Sequence, residues 1–261
     1  MSETADIRRP AWRPGAAAWL RLIQAEAKMV IRDYAGLIVP LGLPLLILVM
    51  QGISIEERGQ EIAEGVTVFS YYALPVVISM VVATIAVINM PSFLATYRKT
   101  KLLRRLAVTP ASPAMVLVAQ MVVSFIQVVL GIGLAFAVAL IFFDAALPLA
   151  PMTAAGVLLA CCAAMYGLGM IVASIAPTPN SSVAIGLIAF FGIAALGGMF
   201  GPTDNLPEVL QTVGSWLPFG ASVEAFQSAW LGEAVEAQNW VVLGGSAVVG
   251  AGVAAALFRW E

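Results

Sequence analysis

Charged residues and histidine are what this sequence has least of. Only 11% of its 261 residues are charged, and none is a histidine. A soluble globular domain carries roughly 25% charged residues, so an ordinary soluble domain is excluded. Without histidine the chain lacks the commonest metal ligand and the usual base near neutral pH. This absence argues against a membrane-embedded enzyme.

Cysteine is scarce as well. The only two cysteines, Cys161 and Cys162, are adjacent in an apolar run, which favours small core side chains over a redox or metal site. The phosphate loop G-x-x-x-x-G-K-[ST] is also missing from the sequence, so any ATP would be bound by another chain. We expect no metal site and no cofactor in this chain.

Hydrophobic residues make up 61% of the chain. They form runs longer than the ~20 residues needed to cross a bilayer. This pattern predicts an all-α polytopic membrane protein, with residues 1–261 as a single transmembrane domain and residues 35–258 as a six-span bundle. The predicted spans are 35–53, 66–92, 113–143, 152–175, 182–201 and 239–258. Pro40 and Pro44 predict a kink in the first span, which neighbouring helices can accommodate.

Residues 1–34 are predicted to be a cytoplasmic tail followed by an interfacial helix. Over residues 16–33 an apolar face that includes Trp19 and Leu20 lies opposite a basic face, the pattern of a helix in the membrane interface. The basic face contains Arg21, Lys28 and Arg32. Glu26 breaks this pattern because it falls in the apolar sector. It either reaches the edge of the interface or pairs with a basic residue elsewhere.

The basic residues predict the orientation. Six spans place twelve of the thirteen Lys and Arg residues on the side of both termini, and only Arg58 on the other side. Cytoplasmic loops carry the excess of Lys and Arg. Both termini and residues 97–107 are therefore predicted to be cytoplasmic, and residues 54–65 and 202–238 to be outside.

A basic stretch, residues 97–107, lies between spans 2 and 3. As a helix it has a basic flank and an apolar flank. The basic flank is Arg98, Lys101, Arg104 and Arg105, and the apolar flank is Leu102, Leu103 and Leu106. Attraction to anionic lipid, at roughly 1 kcal/mol per basic residue, would explain the charge alone. The apolar flank beside it favours a docking surface for a cytoplasmic partner.

Residues 202–238 mix apolar and polar side chains, with Pro207 and Pro218 among them. They predict two short helices, near 206–215 and 219–231, that form a partly re-entrant outer cap between spans 5 and 6. Glu224 lies either in the headgroup zone or deeper. At depth a charge costs roughly 2.5–3.5 kcal/mol and needs a partner or water.

Aromatic residues in and beside this cap predict an outer interfacial belt. They are Trp216, Phe219, Trp230 and Trp240.

Three stretches carry a family resemblance. They are YRKTKLLRRLAVTPAS at 97–112, GLGMIVASIAPTPNSSVAIG at 167–186, and GGMFGPTDNLPEVLQTVGSWLPFGASVEAF at 197–226. Together they resemble the permease subunits of ABC-2 type ABC exporters, the six-span group that includes antibiotic-resistance and daunorubicin-exporter permeases. The resemblance extends over about residues 16–258.

This resemblance implies partners and a function. Two cytoplasmic ABC ATPase subunits would bind ATP and Mg and receive the 97–107 helix, and a second permease copy or close homologue would complete the transporter. The substrate would be hydrophobic or amphipathic, such as a drug, a lipid or a lipid-linked product, exported across the cytoplasmic (inner) membrane. No nucleic-acid partner is expected. A non-transporting membrane scaffold or channel is the alternative.

Small residues in span 5 predict where two subunits pair. Ala194 and Gly198 have the small-xxx-small spacing that lets helix backbones approach closely. With the dimer that the resemblance implies, this spacing predicts pairing through span 5, with span 1 alongside. The alternative is that these small residues pack within one subunit.

Overall fold

The structure is a computed structural model that describes residues 15–55, 58–63, 65–101 and 113–257. Its helices are α1 (Ala16–Arg32), α2 (Tyr34–Ser54), α3 (Val68–Ala83), α4 (Met90–Lys99), α5 (Pro113–Phe142), α6 (Pro151–Ile175), α7 (Pro179–Leu196), α8 (Glu208–Ser215), α9 (Pro218–Leu231) and α10 (Ala237–Leu257). A π-helical segment, Thr84–Asn89, joins α3 to α4. A 3-10 turn covers Thr203–Asn205. Strands β1 (Glu61–Ala63) and β2 (Val66–Thr67) form an antiparallel hairpin with Glu61 opposite Thr67.

Six stretches within the described residues are long and apolar enough to cross a bilayer. They are span 1 (Gly36–Ser54), span 2 (Val68–Lys99), span 3 (Met115–Phe142), span 4 (Pro151–Ile175), span 5 (Pro179–Leu196) and span 6 (Ala237–Leu257). The chain is therefore an all-α polytopic membrane protein, and the prediction of six spans is confirmed.

Two of the six spans differ from the prediction by several residues. Span 2 continues to Lys99 because Pro91 falls in the first turn of α4, where a missing N–H is tolerated. Span 5 begins early, at Pro179, because Thr178 and Ser181 form a reciprocal capping box there. It ends early, at Leu196, and the chain then turns through Gly198, which has a φ of +90°.

The spans alternate in direction, so the bundle has two ends. The α1 end contains α1, the turn after α4, and the turn between α6 and α7. The hairpin end contains the β-hairpin, the turn between α5 and α6, and residues 197–236. Each end gathers one of the sequence features discussed above: the basic stretch leaves span 2 at the α1 end, and the cap lies at the hairpin end.

Span 2 is the central helix of the bundle. Its most apolar window is 100% buried, whereas the corresponding windows of spans 1, 3, 5 and 6 are 22–28% buried. Protein therefore surrounds span 2, and the outer spans leave much of their surface exposed on the outside of the bundle. Movement of span 2 would disturb the packing of most of the bundle.

The π-helical segment brings span 2 close to spans 4 and 5. The backbone N–H of Met90 donates to Ile85, five residues back, which widens the helix at this point. The carbonyls of Ala86 and Val87 press against Gly169 of α6 and Gly186 of α7 respectively. A Cβ at Gly186 would lie only 2.6 Å from the Val87 oxygen, so the three helices pack backbone against backbone.

Span 1 runs through two prolines that leave carbonyls without donors in their own helix. Pro40 lacks the N–H that would bond Gly36, and Pro44 lacks the one that would bond Pro40. The freed Gly36 oxygen accepts hydrogen bonds from Asn89 Nδ2 of span 2 at 2.8 Å and from Gln127 Nε2 of span 3 at 3.1 Å.

The Pro40 oxygen has a donor within reach as well. It lies 3.1 Å from Thr84 Oγ1, a hydroxyl that also reaches Met80 in its own helix at 2.8 Å. Buried polar groups of spans 2 and 3 thus compensate for the prolines of span 1.

The N-terminal helix is present as α1 and packs against α5 and α2. Arg21, Lys28 and Arg32 are exposed and Trp19 is half-buried, as the amphipathic pattern predicts. Leu20, placed on the apolar face with Trp19, is instead 59% exposed. The location of α1 in the membrane interface stays a prediction.

The predicted cap also contains two helices, α8 and α9. The 14 residues of α9 extend about 21 Å at ~1.5 Å per residue. This is shorter than the ~30 Å hydrocarbon core, so α9 does not cross a bilayer. How deeply the cap enters the membrane stays a prediction.

Candidate functional site

The predicted coupling segment begins inside span 2. Helix α4 ends at Lys99, and the chain turns at Thr100 and Lys101, where Lys101 has a φ of +55°. The Thr100 hydroxyl bonds the Thr96 carbonyl at 2.9 Å and closes the last helical turn. The prediction of a single unbroken helix over residues 97–107 is therefore wrong at the start of that range. The remaining coupling residues, Leu102, Leu103, Arg104, Arg105 and Leu106, lie outside the described residues.

Arg98 binds the end of span 4. Its Nη2 donates to the carbonyl of Ala173 at 2.5 Å and to that of Ala176 at 2.7 Å. These carbonyls close the C-terminus of α6, where the helix leaves acceptors unsatisfied and favours a positive charge. Arg98 was predicted to face a partner or lipid phosphates. In the structure it also joins span 2 to the turn between spans 4 and 5.

Tyr97, beside Arg98, binds α1. Its hydroxyl donates a hydrogen bond to Glu26 Oε2, and both side chains are buried. Glu26 is only 3% exposed, so the prediction that it reaches the edge of the interface is wrong. The alternative, a basic partner, is not what the described residues show, because the partner there is a tyrosine hydroxyl.

The Glu26 carboxyl is held in a poorly solvated place. Burial raises its pKa above the ordinary value, and the hydrogen bond from Tyr97 partly opposes that rise. A buried carboxyl is costly unless it is hydrogen-bonded. The contact with Tyr97 therefore fixes α1 against the end of span 2.

These contacts form a connected group that we call the loop base: Glu26, Tyr97, Arg98, Ala173 and Ala176. The loop base includes Tyr97 and Arg98, the first two residues of the basic stretch, and joins three separate elements. A displacement of the chain after Lys101 would therefore act on α1 and on the turn between spans 4 and 5, as well as on span 2. The sequence did not identify Tyr97 as a functional residue. The only indication of a buried partner was that Glu26 falls in the apolar sector of α1.

A cavity of about 790 Å³ lies at the hairpin end. Its walls come from the end of α2, the start of α3, residues 196–203, Gly214 of α8, and α9. Glu224 and Gln227 of α9 line it, as does Gln51 of α2. No single stretch of sequence predicts this cavity, because its walls are far apart in the chain.

Glu224 is half-buried at this cavity. Burial raises the pKa of its carboxyl, nearby Glu236 raises it further, and a hydrogen bond from Asn239 lowers it. The residue thus has an amide neighbour on α10 and an open side towards the cavity. The predicted choice between the headgroup zone and a deeper position is not decided by these contacts.

The aromatic belt predicted for the cap is wrong at two of its four residues, and the place of the other two in an interface stays a prediction. Trp216 and Trp240 are 58% and 40% exposed, as a belt requires. Phe219 and Trp230 are buried, because α9 packs its apolar face against α3 and α6. Of the two cap prolines, Pro207 is exposed just before α8, and Pro218 is buried at the start of α9.

The predicted subunit interface is wrong at Ala194. This residue is 0% exposed within one subunit, so it cannot contact a second copy in this conformation. Gly198 lies beyond the end of α7 with a φ of +90°. The two residues therefore do not share a helix face, and the small-xxx-small spacing does not apply.

A six-span bundle of apolar helices defines the class of this molecule as a multi-pass membrane protein. The family model described as ABC-2 type transporter matches residues 17–231. The chain therefore belongs to the ABC-2 type transporter family. It is the membrane-spanning permease of such a transporter, a transport subunit that is not itself catalytic. Among curated proteins none matches this chain.

Proposed function

We propose that this permease is driven by two separate cytoplasmic ABC ATPase subunits, which bind ATP and Mg, and that it exports a hydrophobic or amphipathic substrate across the cytoplasmic membrane. The observation that carries the proposal is the loop base. Tyr97 and Arg98 tie the start of the basic stretch to α1 and to the end of span 4. A force applied to residues 97–107 would reach three elements of the bundle at once.

The distribution of Lys and Arg residues supports the orientation of the permease in the membrane that this proposal requires. The basic stretch begins at the α1 end of the bundle, where its residues Lys99 and Lys101 are exposed. If the α1 end is cytoplasmic, twelve of the thirteen basic residues lie inside, as the positive-inside rule requires. An ATPase would then approach the α1 end, and the cavity at the hairpin end would open to the outside.

The coupling test compares the two flanks of the basic stretch. The permease is co-expressed with a candidate ABC ATPase, such as one encoded in a neighbouring reading frame, and assembly and substrate-stimulated ATP hydrolysis are measured. Arg104→Glu with Arg105→Glu should weaken co-purification in a salt-sensitive way, because exposed charges are screened over ~8–10 Å at ordinary salt. Leu103→Ala with Leu106→Ala should impair stimulation with little salt dependence, since each buried leucine contributes roughly 1.5–3 kcal/mol.

A matched control exists elsewhere in the chain. Leu147→Ala with Leu149→Ala removes two exposed leucines at the hairpin end, opposite the proposed ATPase surface. This variant should leave assembly and stimulation unchanged. Wild-type assembly and stimulation in both loop variants would refute the coupling role and leave the basic stretch as a topology signal.

We also propose that two copies pair through span 5, on the surface that the structure leaves open. That surface is Ala184, Ile188 and Gly192 of α7, and Ile188 is 76% exposed. Span 1 has exposed residues as well, among them Ile38 and Leu46, and we propose that it lies alongside span 5 at this interface.

Cysteine crosslinking tests this pairing, because Cys161 and Cys162 are both buried. Ile188→Cys should give a disulfide-linked dimer in membranes, and the buried Ala194→Cys should give none. Dimer formation at Ala194 without any at Ile188 or Gly192 would contradict the proposed surface.

A further inference from the structure

The cavity at the hairpin end has the size and walls of a ligand site. Its volume of about 790 Å³ lies within the roughly 300–1,000 Å³ range of pockets that enclose drug-sized molecules. Ile47, Met50 and Val76 supply apolar surface, and Tyr71 and Tyr72 supply aromatic surface. Their two rings meet edge to face, with centroids 4.8 Å apart.

The polar part of the cavity wall has one sign of charge. Among the described residues that line it, Glu224 is the only charged side chain, and its polar companions Gln51 and Gln227 are neutral. Among the described residues no Lys or Arg pairs with this carboxylate, and its close neighbours are Glu236 and Asn239. A cation that enters the cavity could therefore form an ion pair with the Glu224 carboxylate, which has no such partner among the described residues.

The surface around the cavity is also mainly negatively charged. At the hairpin end the described exposed acidic residues are Glu61, Asp144, Glu208, Glu233 and Glu236, and the described basic residue there is Arg58. The Arg58 guanidinium donates to the carbonyl of Gly52 at 3.0 Å, at the C-terminus of α2. A surface of one sign raises the local concentration of oppositely charged ligands.

We propose that this cavity binds the exported substrate, and that the substrate is a cationic amphipathic molecule. Its cationic group lies at the Glu224 carboxylate, and its apolar body lies along Ile47, Met50 and Val76. Tyrosine faces attract cations as well, so Tyr72 adds to the selection. A single carboxylate among amides and apolar side chains is too few ligands for a divalent metal, and an anion would be repelled. This inference rests on the proposed export function, because it names the substrate class of that transport.

Binding is measured on the purified permease alone, in nanodiscs of zwitterionic phosphatidylcholine, without an ATPase. The probe is rhodamine 6G, a fluorescent cationic amphiphile, followed by fluorescence polarisation. Tetraphenylphosphonium and tetraphenylborate then compete as a pair of nearly equal size and opposite charge. We expect the phosphonium to displace the probe at a concentration at least tenfold lower than the borate.

Variants locate the binding. Glu224→Gln should weaken the Kd of the probe at least tenfold, and Tyr72→Leu should weaken it several-fold through a different wall. Glu208→Gln removes one of the five exposed acidic residues of the same end without touching the cavity wall, and it should change the Kd less than twofold. Equal binding by Glu224→Gln and wild type, or equal displacement by borate and phosphonium, would overturn the proposal. Failure of ATPase coupling would leave this result untouched, so the two proposals fail separately.

Discussion

Replacing Arg98 with alanine is expected to lower the Tm of the purified permease by at least about 5 °C and to uncouple ATP hydrolysis from transport. Arg98 donates to two carbonyls at the end of α6. Hydrogen bonds to a charged group contribute roughly 1.5–3 kcal/mol each, and about 1 kcal/mol changes the Tm of a chain of this size by roughly 2–4 °C. Loss of this link would also remove the hydrogen bonds that tie the C-terminus of α6 to span 2.

Three variants distinguish this role from general loss of charge. Lys99→Ala removes an exposed positive charge one residue away and should leave the Tm within about 1 °C, as surface substitutions usually do. Arg98→Lys keeps the charge but loses the planar guanidinium, so its Tm should lie between those of the wild type and Arg98→Ala. Equal Tm values for the Arg98→Ala and Lys99→Ala variants would contradict the assignment.

Breaking the contact between Glu26 and Tyr97 is the second large effect we expect. Glu26→Ala leaves a buried hydroxyl without its acceptor, and Tyr97→Phe leaves a buried carboxyl without its donor. An unpaired buried group costs roughly 1–3 kcal/mol, which corresponds to a Tm loss of about 2–12 °C. The double variant should be no less stable than the worse single variant, because both changes remove the same interaction.

Glu26→Gln separates the hydrogen bond from the charge. An amide oxygen still accepts the Tyr97 hydroxyl, so this variant should be at least as stable as wild type near neutral pH. The pKa of Glu26 is raised by burial, so its carboxyl favours folding most below the ordinary pKa of a glutamate and loses that contribution as pH rises through the higher folded value. The Tm advantage of Glu26→Gln over wild type should therefore grow from about pH 5 to about pH 8. A difference that does not change with pH would contradict this account.

The spans could be predicted from the sequence because hydropathy over twenty residues is a local property. The position of Glu26 in an apolar sector was also visible, but its partner Tyr97 is 71 residues away. Nothing in the spacing of either residue indicates that the two meet. The same holds for Asn89 and Gln127, which bond the Gly36 carbonyl across two helices.

The error at Ala194 has a different origin. A spacing of four residues indicates a shared helix face only while the helix continues, and α7 ends at Leu196. The cavity around Glu224 was beyond prediction because its walls come from five separate segments. Sequence patterns indicated which elements exist, and long-range packing determined which of their side chains meet.

The two prolines of span 1 bear on how the chain enters the membrane during synthesis. Span 1 emerges from the ribosome before Thr84, Asn89 and Gln127, which are the side chains that reach its freed carbonyls. In hydrocarbon each unsatisfied carbonyl costs several kcal/mol. Until those residues arrive, the carbonyls of Gly36 and Pro40 must be hydrated or held by the insertion machinery. Stable integration of span 1 is therefore a joint property of the first three spans, completed only when Gln127 has entered the bilayer.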